Sequence, residues 1–217
     1  MLPRVCGRWQ CLARWGMLCV AFVAMATVRR RPISPLAAVT DAETGVIFPS
    51  ELGGQSLMAT GVRRKLGTVK VYAVGLYLER RSKLWGSSPS IEQFLAGATR
   101  EATLRMVITS SLVTQDRLIG ALRESIRPRL AAIKGAPVDE VMDEFAGVLL
   151  DGPPLKRGTV ILFTFKKSGV QVQMGTAYKA EVKSVALARA LLSAYTGKNA
   201  VVPMFREAIF EALREGL

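Results

Sequence analysis

The sequence predicts an α+β fold in which a mostly antiparallel sheet carries a layer of helices on one side. Segments with the alternating pattern of strands come in groups joined by short turns rather than by crossover helices. Segments with apolar residues every three or four positions, the period of a helix, lie between and after these groups. The chain has 217 residues, of which 50% are apolar, and therefore suits one domain with a substantial core.

Residues 1–40 are predicted to be a targeting leader, which leaves residues 41–217 as the folded domain. The leader contains six arginines, no acidic residue and an uncharged apolar run of 14 residues at 15–28. That run is shorter than the ~20 residues of a spanning helix but fits the apolar region of a signal peptide. Basic, acid-free residues after it resemble a transit peptide, so we expect import into a plastid, with the mitochondrion or the secretory pathway as alternatives. An uncleaved leader would instead anchor the domain to a membrane.

The composition excludes several kinds of site. The chain has no histidine, and its three cysteines, Cys6, Cys11 and Cys19, all lie in the leader. The domain therefore has no histidine base, zinc thiolate, disulfide or cysteine nucleophile, and we expect no metal or other cofactor. Removing the leader lowers the formal net charge from +13 to +7. The remaining cations are scattered, so we expect no nucleic-acid binding.

The first predicted elements of the domain are a short strand, a turn at residues 53–54, and a long hairpin. The hairpin includes residues 62–79, VRRKLGTVKVYAVGLYLE. Polar and apolar residues alternate after Gly67, which marks the turn of an antiparallel pair. Because side chains alternate between the faces of a strand, Tyr72 and Tyr77 should point to opposite sides of the sheet.

The later elements are predicted from the alternating pattern of strands, from the three- to four-residue spacing of helices, and from capping residues such as Ser90 and Ser184. The predicted strands are residues 102–109, two strands around a four-residue turn at 166–169, and 176–182. The predicted helices are residues 90–96, a long helix from 114 to near 135, and residues 137–149, 184–195 and 203–213.

One pair of residues in the long hairpin offers chemistry. Arg63 at the end of one strand and Tyr72 in the next can meet, because cross-strand neighbours lie about 5 Å apart. A guanidinium keeps its charge and offers a forked donor to a carboxylate or enolate oxygen, to which a phenol can add a second hydrogen bond. The residues alone favour the alternative, in which Arg63 is solvated and Tyr72 is a half-buried strand aromatic. Tyr77 is expected to be structural.

Two strings carry a family resemblance. TGVRRK at 60–65 and VKVYAVGLYL at 69–78 resemble the signature of the chalcone isomerase fold family, and in particular its fatty-acid-binding branch. Residues 187–209 resemble the closing helix, glycine turn and helix of that family. The resemblance implies a chalcone isomerase-like open-faced β-sandwich, with a ligand cleft between the antiparallel sheet and the layer of helices.

The resemblance also implies a function. In the fatty-acid-binding branch, residues at the positions of Arg63 and Tyr72 hold a carboxylate. We therefore expect a monomeric, non-catalytic protein that binds a fatty acid or similar amphiphilic carboxylate, with membrane contact only through an uncleaved leader.

The catalytic branch of the family would need further polar groups. It has a threonine at the position of Tyr72, a tyrosine and an asparagine seven residues apart on the long helix, and a hydroxyl residue near the closing turn. The corresponding positions here are Thr114 or Gln115, Ala121 or Leu122, and Ala194. Because only the arginine is retained, an isomerase or lyase acting on a phenolic enone is kept as an alternative, as is a membrane-anchored regulatory scaffold.

Overall fold

The computed structural model describes residues 38–65 and 67–216. The strands are β1 (Ala38–Thr40), β2 (Ile47–Pro49), β3 (Glu51–Leu52), β4 (Gln55–Lys65), β5 (Val69–Glu79), β6 (Ala102–Ile108), β7 (Val160–Lys166), β8 (Gly169–Met174) and β9 (Tyr178–Val182). The helices are α1 (Ile91–Glu101), α2 (Gln115–Ala131), α3 (Val138–Leu150), α4 (Val185–Thr196) and α5 (Pro203–Glu215). The predicted leader lies outside the described residues, except that its last three residues form β1.

Seven of the strands form one antiparallel sheet in chain order, from β3 to β9, while β1 and β2 form a separate pair. Each strand of the large sheet lies beside its neighbour in sequence, so the helical connections return to the same sheet without a parallel crossover. This confirms the predicted antiparallel architecture. Across the described ranges, no helix combines the length and the apolar character needed to cross a bilayer.

The two faces of the sheet pack against different layers. On one face, alternate residues of β5 from Tyr72 to Leu78 join the main core with the helices. On the other face, Phe48 of β2 packs with Ala73 in a smaller cluster. Tyr77 points to this second side, where its Oη donates a hydrogen bond to Pro49 O at 3.0 Å. The predicted opposite orientation of Tyr72 and Tyr77 is therefore confirmed.

Three of the described helices begin at a capping side chain, and two of these caps, Ser90 and Ser184, were predicted. The hydroxyls of Ser90, Thr114 and Ser184 each accept a hydrogen bond from the backbone N–H three residues later. The first helix, however, runs to Glu101, five residues beyond its predicted end. This longer helix includes Gly97, whose lack of a side chain makes room for Leu84, because Leu84 Cδ1 would be 3.0 Å from a Cβ at Gly97.

The hairpin of β7 and β8 turns at the predicted residues 166–169. Lys166 pairs with Gly169, so these four residues form a tight turn with Lys167 and Ser168 at its centre. Gly169 has a φ of +152°, and a Cβ there would lie 2.1 Å from Val182 O. Only a residue without a side chain lets the hairpin begin so close to β9.

Candidate functional site

A cavity of about 260 Å³ opens between the start of β5 and the start of α2. We call it the cleft. Its walls are mainly aliphatic, Tyr72 lies at a buried position in it, and the exposed cations Lys65 and Arg117 also line it. The lining residues are Lys65, Val69, Val71, Tyr72, Ser110, Leu112, Val113, Arg117, Leu118 and Ala121. An apolar cleft with a few polar groups is the usual form of a small-molecule site, and this volume lies just below the common range of ~300–1,000 Å³.

The hairpin of β4 and β5 places Arg63 beside Tyr72. The two residues are directly opposite each other in the ladder, so their side chains share the helix-facing side of the sheet. Arg63 does not itself line the cleft, and its Nη1 donates a hydrogen bond to Val201 O at 2.7 Å. Within residues 38–65 and 67–216, Arg63 forms no ion pair with a carboxylate.

A second tyrosine, Tyr195, lies beside Arg63 and Tyr72, and it was not predicted from the sequence. We call these three residues the cluster. Tyr195 of α4 places its Oη 3.1 Å from the Oη of Tyr72, and its side chain is only 1% exposed. The family resemblance pointed to Ala194, one residue away, which has no polar side chain. A tyrosine two residues before the capping Gly197, in an otherwise apolar helix, was the signal that could have found it.

The two phenols remain protonated at neutral pH. Burial raises the pKa of Tyr72, and this is partly offset by its hydrogen bond to Tyr195 and by the charge of Arg63. The pKa of Tyr195 lies well above its usual value, first because of burial and then because of Tyr72. Neither phenol can therefore serve as a general base near neutral pH, and both act as hydrogen-bond donors.

Counting donors shows what the cluster can bind. Two neutral phenols carry two hydroxyl protons, of which their mutual hydrogen bond uses one. The other proton has no acceptor in the described part of the chain. With the Arg63 guanidinium on the adjacent strand, the cluster offers donors and a positive charge. Its complement is an acceptor with negative charge, such as a carboxylate.

Close packing between β4 and α5 holds the cluster in place. A Cβ at Gly61 would lie 2.6 Å from the Cβ of Phe205, so glycine is what lets α5 approach β4. The ring of Phe205 in turn meets the ring of Tyr195 edge-on, with the centroids 6.4 Å apart. Val201 N also donates to Ala194 O at 2.8 Å, which ties the start of α5 to the end of α4.

In this chain, the residues at the positions that carry polar groups in the isomerase branch have structural contacts or apolar side chains. Thr114 caps α2, and Gln115 Nε2 donates to Leu149 O at 3.0 Å and so links α2 to α3. Ala121 lines the cleft without a polar group, and Leu122 is buried. In the part of the chain that the structure describes, no group of three or more acidic, cysteine or histidine side chains could hold a metal ion.

Comparisons with known proteins agree with this fold. The profile of the chalcone isomerase-like family matches residues 44–210. No curated protein sequence matches the chain significantly. Among solved structures, a fatty-acid binding protein of Arabidopsis thaliana aligns with a TM-score of 0.69 and 24% identity, covering 82% of this chain and 98% of that one. At this identity the match shows the shared fold, and it confirms the predicted fold class.

Proposed function

Because the chain belongs to the chalcone isomerase-like family, we propose that it binds a fatty acid or a similar amphiphilic carboxylate without transforming it. Arg63 and Tyr72 hold the head group, Tyr195 orients the phenol of Tyr72, and the aliphatic walls of the cleft receive the tail. The protein acts as a monomer and uses no cofactor.

The observation that carries this proposal is the buried donor cluster at the cleft. Tyr72 and Tyr195 are both buried and hydrogen-bonded to each other, with one hydroxyl proton to spare. Arg63 is the direct cross-strand neighbour of Tyr72 and is not neutralised by a carboxylate of the described residues. A buried donor without an acceptor costs free energy, which an incoming carboxylate oxygen would recover.

The tail of the ligand is assigned to the remaining walls of the cleft. Val71, Val113 and Leu118 line the cavity next to Tyr72 and offer aliphatic surface. A ligand that fits such a site has a charged head and an apolar chain. The Arabidopsis protein of the same fold is a fatty-acid binding protein, which agrees with this ligand class.

The side chains at the cleft favour ligand binding over isomerase chemistry. Ring closure of a phenolic enone needs a polar network around the enone and stabilisation of a phenolate. Ala121 supplies no such group, and the amide nitrogen of Gln115 is occupied by backbone carbonyls at the end of α3. The two buried tyrosines are protonated at neutral pH and cannot accept the substrate proton.

The head-group assignment is tested by comparing laurate with dodecanol, which has the same chain length but no charge. Wild-type protein should bind laurate more tightly, and Arg63→Gln should weaken laurate binding by about 10- to 100-fold, because hydrogen bonds to charged groups contribute about 1.5–3 kcal/mol. Dodecanol binding should change little. Arg64→Gln is the matched control, since Arg64 is exposed and pairs with Glu43. Calorimetry that finds no laurate binding, or equal laurate affinity in all three proteins, would refute the proposal.

For residues 1–40 we propose removal after delivery to a plastid. The apolar run followed by basic, acid-free sequence supports this. Sequencing the amino terminus of the protein purified from its native cells should give a start near residues 30–45. An intact leader in a membrane fraction would favour the anchored scaffold instead, and a fluorescent fusion that labels mitochondria or the secretory pathway would exclude the plastid.

A further inference from the structure

Two exposed apolar side chains flank the opening of the cleft. Leu112 is 63% exposed and Val69 is 38% exposed, and both line the cavity. The cations Lys65 and Arg117 line the same cavity and are exposed. We call these four residues the cleft-mouth patch.

The turn that carries Leu112 is fixed by hydrogen bonds. Leu112 N donates to Ser110 Oγ at 3.2 Å, and Arg117 Nη1 donates to Leu112 O at 2.9 Å. The preceding Thr109 donates through its Oγ1 to Lys70 O at 2.9 Å, which ties the turn to the start of β5. The chain therefore holds Leu112 outward in a defined position, although burying this side chain would be favourable.

The charge around the patch is mainly positive. Lys65, Lys70, Arg117 and Arg157 lie at this end of the sheet, and within the described ranges none of them is in an ion pair. The acidic neighbours are Asp116 in the first turn of α2 and Glu43, which pairs with Arg64.

We infer that the cleft-mouth patch docks on an anionic lipid bilayer, with Leu112 and Val69 entering the headgroup boundary and Lys65 and Arg117 contacting lipid phosphates. Apolar side chains rimmed by cations are the usual means by which a protein binds such a surface. The choice of a bilayer rests on the proposed function, because a membrane is the reservoir of amphiphilic carboxylates. A docked mouth would let the apolar tail enter the cleft without crossing water.

The sheet provides a matched control position at its other end. β7 starts at the same end of the sheet as the cleft mouth, where Val160 pairs with Val107, and it ends at the hairpin turn after Lys166. Val182 of β9 pairs with Val170 just after that turn. Val185 comes three residues after Val182 in the sequence. It is 55% exposed and lies at the opposite end of the sheet from Leu112.

The test uses the full chain with Cys6→Ser, Cys11→Ser and Cys19→Ser, and an environment-sensitive fluorophore on a new cysteine. Leu112→Cys and Val185→Cys are labelled separately, and each is mixed with vesicles of phosphatidylcholine alone or with phosphatidylglycerol. The leader is the same in both proteins, so a difference between the two positions reports the patch. We expect a blue shift and brightening at position 112 with phosphatidylglycerol vesicles, and neither at position 185.

Two results would overturn the proposal: no response at position 112, or equal responses at both positions. A response at 112 that is as large with phosphatidylcholine alone would also overturn it, because the charged lipid would then play no part. Adding Lys65→Gln and Arg117→Gln should raise the lipid concentration for half-maximal response on the order of tenfold, whereas Lys166→Gln with Lys167→Gln should not. No fatty acid is present, so failure of docking and failure of laurate binding are measured separately.

Discussion

At the scale of single residues, the proposed head-group site depends on three side chains brought together from distant parts of the chain. Arg63 and Tyr72 meet through a local hairpin, which the pattern of the sequence predicted. Tyr195 reaches Tyr72 across 123 residues of sequence, and this contact depends on how α4 packs against the sheet. Periodicity reveals which face of a strand is buried, but it does not specify which side chain of another element will meet that face.

The hydroxyls of the two tyrosines should contribute unequally to binding. Tyr72→Phe removes the phenol that lines the cleft and should weaken laurate binding about tenfold. Tyr195→Phe should weaken it less, because it removes only the partner of that phenol. Tyr178→Phe is the control, since the Tyr178 hydroxyl bonds to Val148 O instead. Titration with laurate checks the order, and an effect of Tyr195→Phe that exceeds that of Tyr72→Phe would show that the roles are reversed.

Buried phenols also predict a loss of stability in alkali. Burial raises the pKa of Tyr77 to about 12, above its unfolded value near 10. The folded state therefore binds this proton more tightly, so its contribution to stability is complete below about pH 10 and is lost as the pH rises towards 12.

Tyr77→Phe isolates this effect. The variant should lose about 1 kcal/mol at neutral pH, because its hydrogen bond to Pro49 O is removed. Its unfolding free energy should then fall less steeply than that of wild type in this alkaline range. Urea denaturation at about pH 7 and about pH 11 provides the comparison. Parallel losses in the two proteins would show that Tyr77 is not the titrating group.

At the scale of elements, close packing of β4 against α5 positions the site. Gly61→Ala would push a Cβ against the Cβ of Phe205, 2.6 Å away, which can move only with the backbone of α5. We expect a loss of about 1–3 kcal/mol in unfolding free energy and weaker laurate binding, since Phe205 supports Tyr195.

Gly120→Ala in α2 is the matched control for this substitution. Gly120 is exposed, and no atom of a neighbouring residue lies within 4 Å of the place that an alanine methyl would take. Alanine should therefore stabilise the helix by about 0.5–1 kcal/mol. Thermal or urea unfolding of both variants checks the pair. A Gly61→Ala protein as stable as wild type would mean that α5 can shift freely, and that the close approach is not required.

Most elements were predictable from local patterns, whereas the end of α1 was not. The capping residues Ser90 and Ser184 begin helices as expected, because a cap is satisfied within one turn. Helix α1 extends five residues beyond its predicted end and includes Gly97, which packs against Leu84. The four-residue turn at 166–169 was predictable, and Lys166 pairs with Gly169 there.

At the scale of the whole molecule, the fold was predictable because strand order follows chain order. Antiparallel pairing of strands that are neighbours in sequence leaves few alternative topologies, and the strings at both ends of the domain resemble one family. The cleft was less predictable, because its walls combine the start of β5 with the start of α2, which lie far apart in sequence. The buried hydrogen-bond donors, the apolar walls of the cleft and the cleft-mouth patch therefore lie at the same end of the sheet.

The most direct test is a crystal structure of the protein with laurate, because two orientations of the ligand are chemically reasonable. We predict the carboxylate at the inner end of the cleft, about 2.7–2.9 Å from a guanidinium nitrogen of Arg63 and within hydrogen-bond distance of Tyr72 Oη, with the tail along Val71 and Leu118. A carboxylate held instead at the mouth by Lys65 and Arg117, or a cleft without laurate at saturating concentration, would contradict the proposed site.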